Sequence, residues 1–461
     1  MLGAGLLLGL LAGVDPKLAL IGALGLAFVV LTMVDLTAGL CLLAIISFID
    51  SVLPYGTAGV ISFPKFLGLL VVMSWLGRLA TDPEERARLF PHTGFIYVLF
   101  VFAAWTAMSI TWAVDSGSVL DTVLRVVPNA MLFPIVYSAI RTRRQLMWLL
   151  GSFVLGALIS AAYGVFVPTD PNAQDRLSGA AGNANETAAA LVAGAVLAGA
   201  LAATLRDQPL LRLAAGIGMP LCAFALFLTL SRGGLVALAT ALVAAIVMGG
   251  RWRGIVLALA VIAAVGCVTY FGVFASTQAR ERVTTFRGGT GRTDVWTVGW
   301  RMVQAHPVRG VGAGTFAESS VHYLLRPGSI KRDDFIVDTP KAAHNMYLEV
   351  LAELGVVGLA LFLAIIGFAL ACLVRAVQRF NQIGDRQLEI LSRAMFVALV
   401  GLLASDFFGS REFAKELWLL LSICPALLAM SRARSRELEE GSLRARPPLV
   451  AEPASAASSL S

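Results

Sequence analysis

Residues 346–374, with the sequence MYLEVLAELGVVGLALFLAIIGFALACLV, decide the class of fold. No charged residue follows Glu353 in this run, which is longer than the roughly twenty apolar residues that cross a bilayer core. The pattern recurs along the chain, where 58% of the 461 residues are hydrophobic and 14% are charged. Soluble domains have roughly 45–50% and 25%. Lipid must therefore be the solvent for most of this chain.

About fourteen apolar stretches are candidate spans by the same measure. They are residues 2–13, 17–34, 37–54, 63–80, 94–113, 123–140, 145–167, 186–204, 210–231, 234–250, 254–274, 346–374, 391–410 and 416–430. We therefore predict an all-α polytopic integral membrane protein with about 12–14 transmembrane helices. Its membrane domain would cover residues 1–430. Residues 431–461 would form a disordered cytoplasmic tail, because they carry too few apolar residues to fold.

Arginines in the short connections predict the orientation of the chain. Every second connection is rich in arginine, and the positive-inside rule places this set and both termini in the cytoplasm. The long hydrophilic connection 275–343 then lies outside, where it forms an extracytoplasmic loop. We expect a protein of the cytoplasmic membrane whose chemically interesting residues face the exterior.

Several classes of function are disfavoured by the sequence. The net charge of +7 resides in short loops and in one long loop rather than in a basic tract, which disfavours nucleic acid as a partner. The chain has five cysteines, all within apolar stretches, and no pattern typical of metal ligands, so we expect no metal and no cofactor. The run GVGAG at 310–314 lacks the spacing of a dinucleotide site and is better interpreted as a turn.

Polar residues on the predicted outer side are the candidates for chemistry. Asn185 lies in a loop that precedes a span, where Asn183 or Asn185 capping a helix is the simpler interpretation and anion binding the alternative. Arg232 follows Ser231 at a junction between two spans, where it either binds a ligand or reaches lipid phosphates. His344 and Asn345 precede the span 346–374, where a neutral imidazole is suited to accept a proton.

The outer loop is basic and calls for an anionic partner. Arg292 and Arg309 are two of its cationic residues, and for either one simple contact with lipid headgroups is as good an interpretation as ligand binding. Trp296, Trp300 and Met302 suggest an amphipathic helix that lies on the outer surface of the membrane.

Five short blocks, taken in order, resemble the O-antigen ligase and O-antigen polymerase superfamily. They are 231–234 (SRGG), 291–296 (GRTDVW), 306–316 (HPVRGVGAGTF), 344–348 (HNMYL) and 353–358 (ELGVVG). The resemblance extends from about Gly182 to Leu361. It implies a glycosyltransferase-C-like membrane fold and a metal-independent, inverting enzyme. Such an enzyme moves a glycan from undecaprenyl diphosphate to an acceptor hydroxyl of a glycolipid or polysaccharide outside the cytoplasmic membrane.

The resemblance carries roles onto matching positions only. It implies catalytic roles for Arg232, Arg292 and His344, and guanidinium forks suit diphosphate oxygens while the imidazole suits the acceptor proton. Asn345 or Tyr347 would orient the imidazole, and both are candidate substrate-binding residues. Asn185 and Arg309 remain candidate substrate-binding residues, although the resemblance assigns nothing to Arg309.

Three reactions of the superfamily stay open. These are ligation onto a lipid A core, to which we lean, polymerisation of repeat units, and transfer to a protein hydroxyl. From another class, a flippase or transporter for lipid-linked glycans would also need many helices, but transporters place their polar residues near the middle of the bilayer. Here the polar residues gather at one face, which favours one-sided chemistry.

Overall fold

The computed structural model describes residues 13, 25–26, 28–49, 63–87, 93–167, 176–277, 280, 292–324 and 342–444. All regular secondary structure in these ranges is helical. Four parts of the predicted spans and tail lie outside the described residues: the first span apart from Gly13, half of the second span, residues 50–54 of the third span, and the part of the tail after residue 444.

Fifteen α-helices follow one another along the described ranges. They are α1 (Leu36–Ser47), α2 (Phe63–Thr81), α3 (Pro83–Ala87), α4 (Thr93–Met108), α5 (Ser116–Ala139), α6 (Arg143–Phe166), α7 (Ala184–Thr204), α8 (Pro209–Leu228), α9 (Arg232–Met248), α10 (Arg253–Thr269), α11 (Arg292–Ala305), α12 (Phe316–Ser320), α13 (Met346–Ile383), α14 (Arg386–Ser405) and α15 (Lys415–Arg444).

Nine helical stretches in the described part of the chain are long and apolar enough to cross a membrane, and three shorter apolar helices accompany them. This confirms the predicted class, an all-α polytopic membrane protein. Helix α10 has no buried residue at all, as expected of a helix whose apolar surface faces lipid rather than protein.

Helix α15 corrects the predicted boundary of the tail. It continues to Arg444, so residues 431–444 are helical where the sequence predicted disorder. Local interactions explain the extension, because the Arg434 guanidinium pairs with the Glu437 carboxylate at 2.9 Å one turn later. The hydroxyl of Ser435 donates to the backbone carbonyl of Ser431. A composition rich in Arg and Glu therefore supports an exposed helix here.

The centre of the bundle consists of α13, α14 and α15 together with α5 and α7. Helix α13 packs against α15, α14 and α4, while α7 packs against α8, α14 and α6. Aromatic rings fill the space between α15, α4 and α5. Trp418 on α15 packs against Phe102 on α4 and Phe133 on α5, with ring centroids 6.2 Å apart in each pair. This packing fixes the helix ends at which the candidate site lies.

Helix α13 is interrupted at Gly355, whose φ of 69° and ψ of −171° are not helical. The interruption frees two carbonyls, which accept from the turn before α12: Val311 N–H donates to Ala352 O at 3.0 Å and Gly312 N–H to Glu353 O at 2.9 Å. In return, the Glu353 carboxylate accepts from the N–H of Gly314 at 2.7 Å. The blocks 306–316 and 353–358 are therefore bound to each other.

The run at 310–314 is a turn, as predicted. Gly310, Gly312 and Gly314 all have positive φ, which glycine adopts without strain. The backbones meet so closely that a Cβ atom on Gly310 would lie 2.2 Å from Glu353 O, and one on Gly355 would lie 2.1 Å from Val308 O. These glycines thus serve backbone packing.

Candidate active site

Two helices begin side by side where Asn185 and Ser231 meet. Asn183 caps α7 by accepting from the backbone N–H of Asn185 and Glu186, which confirms the capping interpretation. Ser231 caps α9 by accepting from Gly234 N–H at 3.0 Å. The Ser231 hydroxyl also donates to the Asn185 side-chain oxygen at 2.7 Å. Asn185 therefore holds the N-terminus of α9, from which Arg232 projects.

Arg232 and Arg292 lie close enough for their charges to interact, although 60 residues separate them in the sequence. Burial lowers the pKa of the Arg292 guanidinium, and the positive charge of Arg232 lowers it further. The Arg292 guanidinium carbon is 6.0 Å from the centroid of the Phe408 ring. Phe408 also packs against α9, because a Cβ atom added to Gly233 would lie only 3.2 Å from the Cβ of Phe408. The ring therefore sits between the two arginine-bearing helices.

His344 reaches the same region from the start of α13. Its backbone N–H donates to the Ser410 hydroxyl at 3.0 Å, and Ser410 is two residues beyond Phe408. The backbone of His344 has a φ of 50°, an unusual value for a residue other than glycine. Such strain persists where surrounding contacts impose it and often occurs at functional sites.

Asn345 and Tyr347 support the strained turn at His344. The buried Asn345 side chain caps α13 by accepting from the N–H groups of Tyr347 and Leu348, both at 3.1 Å. The Tyr347 hydroxyl donates to Leu403 O at 3.0 Å, and its ring lies 6.4 Å from that of Phe407. Both side chains therefore form their hydrogen bonds with other groups of the protein.

The segment Ser405–Glu412 joins these parts, and the sequence analysis missed it. It links α14 to α15 and supplies both Phe408 and Ser410. Its other aromatic ring, that of Phe407, lies edge-on to Trp296 of α11 with centroids 5.7 Å apart. Charged residues at a junction between two apolar helices were the available signal, because such residues are costly in a membrane protein.

Buried charges anchor this segment. The Arg411 guanidinium pairs with the Glu416 carboxylate at 3.4 Å and donates to Glu186 O at 3.2 Å. Burial alone would lower the pKa of Arg411, but the carboxylates of Asp406, Glu416 and Glu186 reverse the direction and raise it. A permanently charged Arg411 thus ties the segment to the start of α7.

Helix α11 differs in part from the predicted surface helix. Trp300 is 53% exposed, as a surface helix requires, but Met302 is fully buried, and α11 packs on α13. The Trp296 indole N–H donates to Ala343 O at 2.9 Å, next to His344. The buried face of α11 therefore contacts the backbone beside His344 and helps to position the site.

Arg309 lies apart from the other six candidates. Its guanidinium carbon is 5.8 Å from the centroid of the Trp112 ring, in a cavity of about 190 Å³ that none of those six residues lines. The structure thus brings Arg232, Arg292 and His344 around one segment, places Asn185, Asn345 and Tyr347 behind them, and separates Arg309.

The fold defines a polytopic, all-α membrane protein. In it, two neighbouring arginines and a strained histidine lie at one group of helix ends. The O-antigen ligase family matches residues 217–363, which include Arg232, Arg292 and His344. An O-antigen ligase from Pseudomonas aeruginosa is 28% identical over 392 residues, 79% of this chain and 88% of its own length. These matches confirm the resemblance to O-antigen ligases and indicate a membrane glycosyltransferase.

Proposed function

We propose that this chain is a glycosyltransferase that moves a glycan from undecaprenyl diphosphate to an acceptor hydroxyl on the outer side of the bacterial cytoplasmic membrane. The observation that carries the proposal is that Arg292 and the start of α9, which bears Arg232, both pack on Phe408. This arrangement brings the two positive charges close enough to interact. Two guanidinium groups that repel each other are stabilised together by a ligand with at least two negative charges. A diphosphate is such a ligand.

The chemistry follows from the charges. The acceptor oxygen attacks the anomeric carbon while the bond from that carbon to the diphosphate breaks, and negative charge collects on the departing oxygens. Arg232 and Arg292 stabilise this charge, as fixed cations do in other charge-developing reactions. His344 takes the proton that the acceptor hydroxyl loses, or holds that hydroxyl in line. Asn345, Tyr347 and Asn185 position these groups.

Ligation of a finished glycan onto a glycolipid is the reaction we propose first. The similarity to an O-antigen ligase over 79% of the chain supports it, and polymerisation or transfer to protein are the alternatives. The test incubates the purified protein in nanodiscs with an undecaprenyl-diphosphate glycan and three acceptors: a lipid A core, a second carrier-linked glycan, and a serine-containing protein. Mass spectrometry then identifies the acceptor that has gained the glycan.

Substitutions of the proposed catalytic residues, and of one exposed arginine, provide the controls for this test. Arg232→Ala, Arg292→Ala and His344→Ala should each reduce transfer by about a hundredfold or more, as does the loss of oxyanion-stabilising or general-base groups elsewhere. Arg212→Ala removes an exposed arginine from α8 and should transfer at the normal rate. Normal transfer by well-folded Arg292→Ala and His344→Ala proteins would falsify the mechanism.

Two further measurements test the type of reaction. Activity that survives EDTA would support a metal-independent reaction, and NMR evidence of an inverted linkage would support an inverting one.

The orientation has its own test. An impermeant maleimide applied to intact spheroplasts should label Trp300→Cys, which is exposed on α11, and should not label Arg212→Cys. The reverse pattern would place the site in the cytosol and remove the proposal.

A further inference from the structure

The cavity beside Arg309 is a second place where the chain offers a positive charge to a ligand. It lies between the turn that follows α11 and the short segment after α4. Its lining includes two aromatic side chains, those of Trp112 and Tyr323, and three side chains that can carry positive charge, those of Arg309, His306 and His322. No carboxylate lines the cavity among the described residues.

Arg309 has no salt-bridge partner among the residues that the structure describes. Its guanidinium carbon instead lies over the Trp112 ring, 5.8 Å from the ring centroid. An arginine held over an aromatic face keeps its edge N–H groups available, and those groups match the two oxygens of a carboxylate. An acidic ligand therefore fits this cavity.

The size and the aromatic walls restrict the kind of ligand. A volume of about 190 Å³ is smaller than the roughly 300–1,000 Å³ of sites for drug-sized molecules, so the cavity accommodates one ring rather than an oligosaccharide. Trp112 and Tyr323 offer apolar surface to the hydrophobic face of such a ring. The Ser319 hydroxyl in the same lining is a further hydrogen-bonding group.

The position of the cavity relates it to the active site. Arg292 begins α11 and Ala305 ends it, followed at once by His306. Fourteen helical residues with a rise of 1.5 Å each separate the two ends by about 20 Å. A glycan that extends along α11 from the reacting sugar would bring a later sugar to the cavity.

We propose that this cavity binds an acidic sugar residue, one that carries a carboxylate, several sugars away from the bond that is formed. The inference rests on the proposed function, because it takes the ligand to be part of the donor or acceptor glycan. The Arg309 guanidinium binds the carboxylate, and the aromatic side chains contact the ring. The site would thereby select acidic glycans over neutral ones.

Saturation-transfer NMR on the full-length protein in nanodiscs tests the binding with three probes: methyl glucuronide, methyl glucoside and inorganic phosphate. We expect methyl glucuronide to bind about tenfold more tightly than the neutral glucoside. Arg309→Gln should reduce it to the level of the glucoside, whereas Arg212→Gln should have no effect. Equal binding of both sugars, or an unaffected Arg309→Gln protein, overturns the proposal. Phosphate that displaces methyl glucuronide at equal concentration indicates a general anion or lipid-phosphate site and also overturns it.

Kinetics identify which glycan uses the site. With an acidic donor glycan, Arg309→Gln should raise the KM for the donor about tenfold and leave kcat unchanged; with an acidic acceptor, the KM for the acceptor should rise instead. If neither KM changes, the cavity binds no sugar of the donor or the acceptor during the reaction, and the proposal is overturned. The two hypotheses fail separately: methyl glucuronide binding by an inactive protein removes only the proposed function. Normal transfer without methyl glucuronide binding removes only the acidic-sugar site.

Discussion

The backbone N–H of His344 donates to the hydroxyl of Ser410 across 66 residues of sequence. This bond joins the strained turn before α13 to the segment that follows α14. Because a φ of 50° is unfavourable for histidine, contacts such as this one must hold the turn in place. Ser410 is therefore a positioning residue for the imidazole.

Removal of the Ser410 hydroxyl should slow the reaction without preventing folding. Ser410→Ala loses the bond from His344 N–H, worth about 1 kcal/mol, and also the hydrogen bond between the Ser410 hydroxyl and the Glu349 side chain. The misplaced imidazole should reduce kcat about tenfold. Ser410→Thr keeps the hydroxyl and should restore most of the rate. Ser47→Ala, which removes a partly buried hydroxyl from α1, is the matched control. A normal kcat for a well-folded Ser410→Ala protein would contradict this role.

Inorganic diphosphate should compete with the glycan donor. The two adjacent guanidinium groups bind its oxygens without the lipid or the sugar, so initial rates should fall as diphosphate is added. Arg292→Gln should weaken this inhibition about tenfold or more, since one charge-assisted contact is lost. Residual transfer by that variant is sufficient for the measurement. Equal inhibition of the parent protein and of Arg292→Gln would argue against diphosphate binding at Arg292.

Two glycine substitutions on α13 should have opposite effects on stability. Gly355→Ala places a Cβ 2.1 Å from Val308 O at a positive φ, so it should unfold the turn between α11 and α12 and lower the melting temperature strongly. Gly367→Ala has no atom within 4 Å of the new Cβ and should be neutral or stabilising by up to about 1 kcal/mol. Thermal unfolding in detergent measures both. Equal melting temperatures would show that the contact between the turn and α13 is unimportant.

The Glu412 carboxyl should make the stability of the protein dependent on pH. Burial raises its pKa to about 7 from an ordinary value of 4.5. Between these values the native protein keeps a proton that the unfolded chain has lost, so the free energy of unfolding falls as the pH rises from about 4.5 to 7. The loss is about 3 kcal/mol at most. Melting temperatures measured across this range test the prediction.

Glu412→Gln should reduce the slope of that dependence, because the amide does not titrate, while the other buried carboxyl of the segment, Asp406, keeps its own contribution. Glu437→Gln is the control, since its carboxylate is 65% exposed and should leave the slope intact. The prediction is wrong if the parent protein and Glu412→Gln lose stability in parallel between pH 5 and pH 7.

The sequence predicted what depends on local chemistry. Apolar length identified most spans, and a capping asparagine correctly marked the start of α7, because Asn183 acts on backbone groups two or three residues away. The cap that Asn345 forms on α13 was not predicted. The same logic failed at Gly355, since a single glycine in a long apolar run does not reveal a break that the neighbouring turn stabilises. It also failed for residues 431–444, where charge pairs within the helix outweigh the polar composition.

The candidate site was predictable residue by residue but not as an arrangement. Arg232, Arg292 and His344 stand out because each is a polar residue near the end of an apolar stretch. Their convergence depends on Phe408 and Ser410, whose side chains look ordinary in a sequence and acquire their role only through packing. The separation of Arg309 is equally invisible, because distance along α11 is a property of the folded helix.

The backbone contacts at Gly310 and Gly355 restrict how the segment between α11 and α12 can vary in length. Two glycines without room for a side chain and backbone bonds in both directions fix the register between the turn and α13. Insertion or deletion of one residue between His306 and Phe316 would misalign every one of these bonds. Related chains should therefore gain or lose residues before α11 or after α12, while this interval keeps a constant length.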